Sequence, residues 1–133
     1  MIVDSSAIVA ILRAEPDAAR YAAALEAAPA RQISAANWLE AAIVISDPAD
    51  PVTARRFDEF VREAALRIEP VTARQARIAR NAYRDIGKGS GHPAQLNFGD
   101  CFAYALASET AQPLLFKGED FSHTDLEPAL ERE

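Results

Sequence analysis

Short strand-like segments separated by helical stretches set the limits on how this chain can fold. Met1–Val3 and Leu114–Phe116 are brief apolar runs, and Arg67–Val71 reads as a third strand. Arg31–Ser34 holds a strand's position between two helical stretches without a strand's composition. Between these segments the apolar residues recur at three- and four-residue steps, the spacing of helices buried by one face. Strands joined by helices cannot be tight hairpins, because each connection is long enough to cross over and return parallel. The pattern predicts an α/β fold with a mainly parallel sheet of four to five strands.

The helical stretches have readable ends. Ser5 or Ser6 suits the N-cap of a first helix through Leu12, since a hydroxyl can accept a free backbone N–H. Asp17–Ala28 places Tyr21, Ala24, Leu25 and Ala28 on one face, and Pro29 ends it. Ala35–Ser46 is expected to bury Trp38, Leu39, Ala42, Ile43 and Ile45. Asp47–Pro51 breaks the pattern before a helix over about Val52–Leu66, with Phe57, Phe60 and Val61 at helical spacing. Thr72 caps a helix to about Ile86. Gly87–Pro93 holds three of the five glycines, and Asn97-Phe98-Gly99 leads into a helix over Asp100–Thr110. With 133 residues, no internal repeat and no linker, this is one domain with a core of its own.

Charge and cysteine content exclude several classes. Twenty acidic residues against 14 basic ones leave a net charge of −6, which argues against non-specific DNA binding through a basic surface. An acidic nucleic-acid enzyme stays open, because bound cations can neutralise its site. The lone Cys101 excludes a disulfide framework and a Cys-rich zinc centre. The N-terminus reaches Asp4 with no basic start, unlike a secretory signal. No apolar run approaches the roughly 18–20 residues of a membrane span. The expectation is a cytoplasmic protein without membrane attachment.

Carboxylates stand where a parallel sheet presents its ligand site, outside the carboxyl ends of the strands. Asp4 closes the first strand, Asp120 follows the last, Asp100 opens a helix, and Glu40 interrupts the apolar stripe Trp38–Ile43. Taken singly, each has a plainer role: a cap or turn for Asp4, a solvated helix position for Glu40, a helix-dipole partner for Asp100, a surface turn for Asp120. Gathered together they would repel one another, and a divalent cation would relieve that conflict. Oxygen donors without Cys or paired His select hard ions, Mg²⁺ or Mn²⁺.

No local spacing ties these four residues together, but a family resemblance does. Ile2-Val3-Asp4-Ser5-Ser6-Ala7 resembles the opening of PIN-domain ribonucleases, and Leu39-Glu40 their second acidic position. The block Leu96-Asn97-Phe98-Gly99-Asp100-Cys101-Phe102-Ala103-Tyr104-Ala105-Leu106-Ala107 and the closing Pro113–Phe121 complete an ordered set across the chain. The likeness is greatest to VapC toxins, the ribonuclease half of VapBC toxin–antitoxin pairs. It implies a PIN-like three-layer α/β/α sandwich and Mg²⁺-dependent endoribonuclease activity, with Mn²⁺ substituting. It also implies a VapB-like antitoxin as partner and a homodimer. Asp4, Glu40, Asp100 and Asp120 take the catalytic, metal-binding positions, with Ser6 and Asn97 as orienting groups. Many relatives carry an acid where Gly118 stands here; Glu119 is the candidate to compensate.

Arg74, Arg77, Arg80 and Arg84 share one helix face, and Lys88 follows in the glycine loop. With Lys117 they are candidate RNA contacts, against the plainer reading of a solvated face. Tyr21 and Leu25 are candidates for a groove taking an antitoxin helix. Gly87–Gly91 lacks the Ser/Thr after Lys88 that a phosphate loop needs, and it follows a helix. Cys101 reads as a small core residue. Two rivals stay open: a degenerate PIN module that only binds RNA or a protein, and a phosphatase using Asp4 as nucleophile. The phosphatase is disfavoured because Ser6 stands where a second Asp would be expected.

Overall fold

The computed structural model describes residues 1–131. Strands β1 (Ile2–Val3), β2 (Arg31–Ser34), β3 (Leu66–Glu69) and β4 (Leu114–Leu115) form one sheet in the order β3-β2-β1-β4. Every pairing is parallel, with Ile2 opposite both Gln32 and Leu114, and Val3 opposite Leu115. The helices are α1 (Ser5–Leu12), α2 (Ala18–Ala27), α3 (Ala35–Ile45), α4 (Pro51–Glu63), α5 (Ala73–Ile86) and α6 (Phe98–Thr110). A 3₁₀ turn covers Asp120–His123.

Successive strand residues face opposite sides of the sheet, so two cores form. Ile2 and Leu114 join Leu96, Leu106 and Phe121 in the layer under α5 and α6. Val3 and Leu115 join Ile8, Ile33, Phe57 and Leu66 in the layer under α1 to α4. The three-layer α/β/α arrangement follows from a sheet apolar on both faces. From β1 the chain proceeds through β2 to β3 on one side, then places β4 on the other side of β1. The connections diverge there and leave a crevice at the carboxyl ends of β1 and β4, where ligands bind in open α/β sheets.

Several local expectations are corrected. The N-cap of α1 is Asp4, not Ser5 or Ser6; its carboxylate accepts the Ser6 N–H at 3.0 Å. Strand β3 starts at Leu66 and ends at Glu69. Helix α4 stops at Glu63, and α6 starts two residues early at Phe98 behind an Asn97 cap. In α3, Leu39 and Ile43 are 52% and 65% exposed, while Asn37 and Ala41 are buried. That helix is apolar nearly all round, so its spacing does not say which side turns inward. Tyr21 and Leu25 are buried in the core and offer no face for a partner helix. Cys101 is buried, as expected of a small core residue.

Candidate active site

The crevice is a cleft of about 390 Å³ lined by Asp4, Glu40, Asp100 and Asp120, with Ser5, Ser6, Asn97 and Lys117 among its other walls. Asp4 is placed by the strand it ends, since its N–H bonds to Leu115 O at 2.9 Å. One Asp4 oxygen caps α1, and the other, Oδ1, is buried without a hydrogen-bond partner. Burial pushes the Asp4 carboxyl up to about 6, against the hydrogen bonds from Ser6 and with a smaller push from the Glu40 charge.

Asp100 belongs to a capping box. Asn97 Oδ1 accepts the Asp100 N–H at 2.8 Å, and Asp100 Oδ2 accepts the Asn97 N–H at 3.0 Å. Burial raises the Asp100 carboxyl to about 7 against the Asn97 hydrogen bond, and the charges of Asp4 and Asp120 add to the rise. Asp120 begins the 3₁₀ turn after β4.

Glu40 enters from α3. Its Oε1 accepts from Ser5 Oγ at 2.5 Å and from Asn37 Nδ2 at 3.5 Å. Asn37 also donates to Gly99 O at 2.9 Å and so ties α3 to the first turn of α6. A Cβ at Gly99 would lie 2.8 Å from Glu40 Cδ, so a side chain there would push that carboxylate from its place.

Ser6 is part of the network: its Oγ accepts the Lys117 N–H at 2.9 Å and locks α1 to the end of β4. Lys117 Nζ bonds Glu15 and Asp17 at 2.9 and 3.0 Å. Glu119 is absent from the cleft lining, and Gly118 takes a left-handed φ of +107° that disfavours a side chain there. Arg74, Arg77, Arg80, Arg84 and Lys88 are exposed and also lie outside the cleft lining. Ser5 was expected only as a helix cap and Gly99 only as part of the turn before Asp100, while Arg13 and Asn37 carry no local signal in the sequence.

Among the described residues, no three His, Cys, Asp or Glu side chains stand close enough to form an assembled metal site. The donor chemistry nonetheless fits a hard divalent cation. All candidate ligands are oxygens, Asp4 Oδ1 is orphaned, and burial, with a smaller push from neighbouring carboxylates, holds the Asp4 and Asp100 carboxyls high.

Residues 1–127 match the family model described as the PIN domain, and the chain belongs to that family. Its relatives place it among the VapC proteins. Ribonuclease VapC28 of Mycobacterium tuberculosis and VapC ribonuclease Mb0625 of Mycobacterium bovis are each 59% identical over 132 residues, covering 99% of both chains. Ribonuclease VapC30 of Mycobacterium tuberculosis is 51% identical over 126 residues, or 95% of each chain. The fold agrees with that of VapC20 of Mycobacterium tuberculosis, a sarcin–ricin loop cleaving toxin (TM-score 0.72, 16% identity, 94% and 95% covered). It also agrees with a chain of a toxin–antitoxin complex from Klebsiella pneumoniae (TM-score 0.70, 16% identity, 98% of each covered).

Proposed function

We propose that the protein is a Mg²⁺-dependent endoribonuclease, the toxin of a type II toxin–antitoxin pair, acting in the cytoplasm. The observation that carries this reading is the convergence of Asp4, Glu40, Asp100 and Asp120 on one cleft with Asp4 Oδ1 left unpaired. The ribonuclease relatives at 59% identity support it. Asp4 and Asp100 are the residues that would hold the cation, with Glu40 and Asp120 completing the oxygen set. When bound, the cation offsets their repulsion, polarises a phosphoryl oxygen and lowers the pKa of water. Glu40, oriented by Ser5 and Asn37, takes the proton of the attacking water. Water oxygen bonds to phosphorus as the bond to the 3′-oxygen breaks. The products are a 5′-phosphate and a 3′-hydroxyl protonated from solvent.

Purified protein incubated with total cellular RNA in Mg²⁺ or Mn²⁺ is expected to give discrete cuts with 5′-phosphate ends. These should vanish in EDTA and in Asp4→Asn and Asp100→Asn. A 2′,3′-cyclic phosphate product would sink the mechanism. Absence of both cutting and Mn²⁺ binding would leave a degenerate binding module.

The same reading includes a VapB-like antitoxin, consistent with the toxin–antitoxin complex among the structural neighbours. It also includes a homodimer. Leu39, Ile43, Val44 and Phe98 supply the apolar surface for one, exposed on α3 and α6.

A further inference from the structure

The proposed substrate is a polyanion, yet among the described residues the cleft it must enter is lined by Asp4, Glu15, Glu40, Asp100 and Asp120 against two cations, Arg13 and Lys117. Lys117 is already held between the carboxylates of Glu15 and Asp17. The arginines of α5 lie outside the cleft lining. Arg13 differs from both. It is the exposed C-cap of α1, and its Nη2 donates to the Val44 carbonyl at 3.3 Å. Among the described residues it forms no salt bridge with a carboxylate. Its remaining N–H groups and its full charge are available to a ligand in the cleft.

We infer that Arg13 is an RNA-binding residue that grips a backbone phosphate flanking the cut. This rests on the endoribonuclease reading and names how that site holds its substrate. The eight residues of α1 separate Arg13 from Asp4, about 13 Å at the helical rise, which is too far for the guanidinium to share the reacting phosphate. The tie to Val44 O steadies the side chain on the cleft wall formed by α1 and α3. A planar guanidinium suits two phosphate oxygens at once, which an ammonium cannot match. Arg13 therefore sets where the strand lies and leaves the chemistry to the carboxylates.

The test is fluorescence anisotropy with a labelled 12-nucleotide single-stranded RNA of random sequence. Mg²⁺ is held constant, KCl is varied, and readings are taken before cleavage. Loss of one phosphate contact makes the slope of log affinity against log salt shallower by about 0.7. Arg13→Ala is expected to show that change with an affinity about five- to tenfold lower, and Arg13→Glu a larger loss. Arg13→Lys should recover the salt slope and only part of the affinity. Thermal midpoints and Mn²⁺ isotherms should match wild type in all three. An Arg13→Ala protein with wild-type affinity and slope overturns the assignment. So does a loss that comes with an altered thermal midpoint or Mn²⁺ isotherm, which would make Arg13 structural. Wild-type protein that neither binds nor cuts RNA brings down the endoribonuclease reading itself, a result distinct from either.

Discussion

Asp4 carries a cost that its neighbours do not remove. It is fully buried, with one oxygen capping α1 and the other unpaired, and its carboxyl is raised from 3.8 to about 6. The sign of the resulting pH dependence follows from that direction. Below about pH 4 the group is protonated whether the chain is folded or not, and it costs nothing. As pH rises through 6 the unfolded chain has already released the proton that the folded one retains, so this group's contribution to stability falls. The shift corresponds to about 3 kcal/mol at neutral pH, as an upper bound. In EDTA, Asp4→Asn should therefore unfold at a higher temperature than wild type at pH 7.5, and the gap should shrink to about a third at pH 4.5. Added Mn²⁺ should reverse the order at pH 7.5, because only the carboxylate gains from the cation. Differential scanning calorimetry at the two pH values checks both signs. Using the variant as reference cancels the opposite pH dependence of Asp17, Glu69 and Asp85, whose carboxyls are lowered.

The first turn of α6 does three things at once, and each restricts its sequence. Asn97 and Asp100 cap it reciprocally, Gly99 O receives Asn37, and the missing Cβ of Gly99 admits Glu40. Gly99 sits inside a helix, where alanine would ordinarily be better by about 0.5–1 kcal/mol. Gly99→Ala is instead expected to destabilise by up to about 1 kcal/mol, since the methyl group pushes the Glu40 carboxylate off its Ser5 and Asn37 hydrogen bonds. It should also cut RNA cleavage by about a hundredfold as Glu40 is displaced. In a Glu40→Ala background the same change should become neutral or stabilising. A double-mutant cycle by urea denaturation measures this directly, and additive effects would refute the steric account. Asn97→Ala should cost about 1 kcal/mol through the lost cap and release the Asp100 backbone N–H, measured by the same denaturation.

At the scale of the molecule, half of the large apolar side chains left outside among the described residues, Leu39, Ile43, Val44 and Phe98, share one face. Leu39 and Ile43 on α3 and Phe98 and Phe102 on α6 line a groove of about 330 Å³ that borders the acidic cleft through Glu40 and Val44. The paired change Leu39→Glu with Ile43→Glu is expected to convert a dimeric protein to a monomer in sedimentation velocity. Because both side chains are exposed in the single chain, it should leave the monomer's fold intact by circular dichroism. Wild-type protein sedimenting as a monomer at tens of micromolar would remove the homodimer from the reading.

Much of this architecture is legible before any coordinates. Alternating strand-like and helical segments specify a parallel α/β domain, because each local period is set by residues two to four apart in the chain. Breakers such as Asp47–Pro51 and caps such as Thr72 act within one turn, and the structure keeps them as element boundaries. Asp4, Glu40, Asp100 and Asp120 were assembled as a set only through resemblance to a family, for they share no local spacing. Their meeting in one cleft depends on sheet order, on β4 pairing beside β1 rather than β3. Tertiary packing alone decided that the inward face of α3 carries Asn37 and Ala41 and leaves Leu39 and Ile43 outside. It also took Lys117 into ion pairs, left the α5 arginines outside the cleft lining, and set Arg13 on its wall. Periodicity reports that a helix has an apolar side. Which residue 60 or 100 positions away that side meets is settled by the packing of whole elements, and the chemistry of this site consists of such meetings.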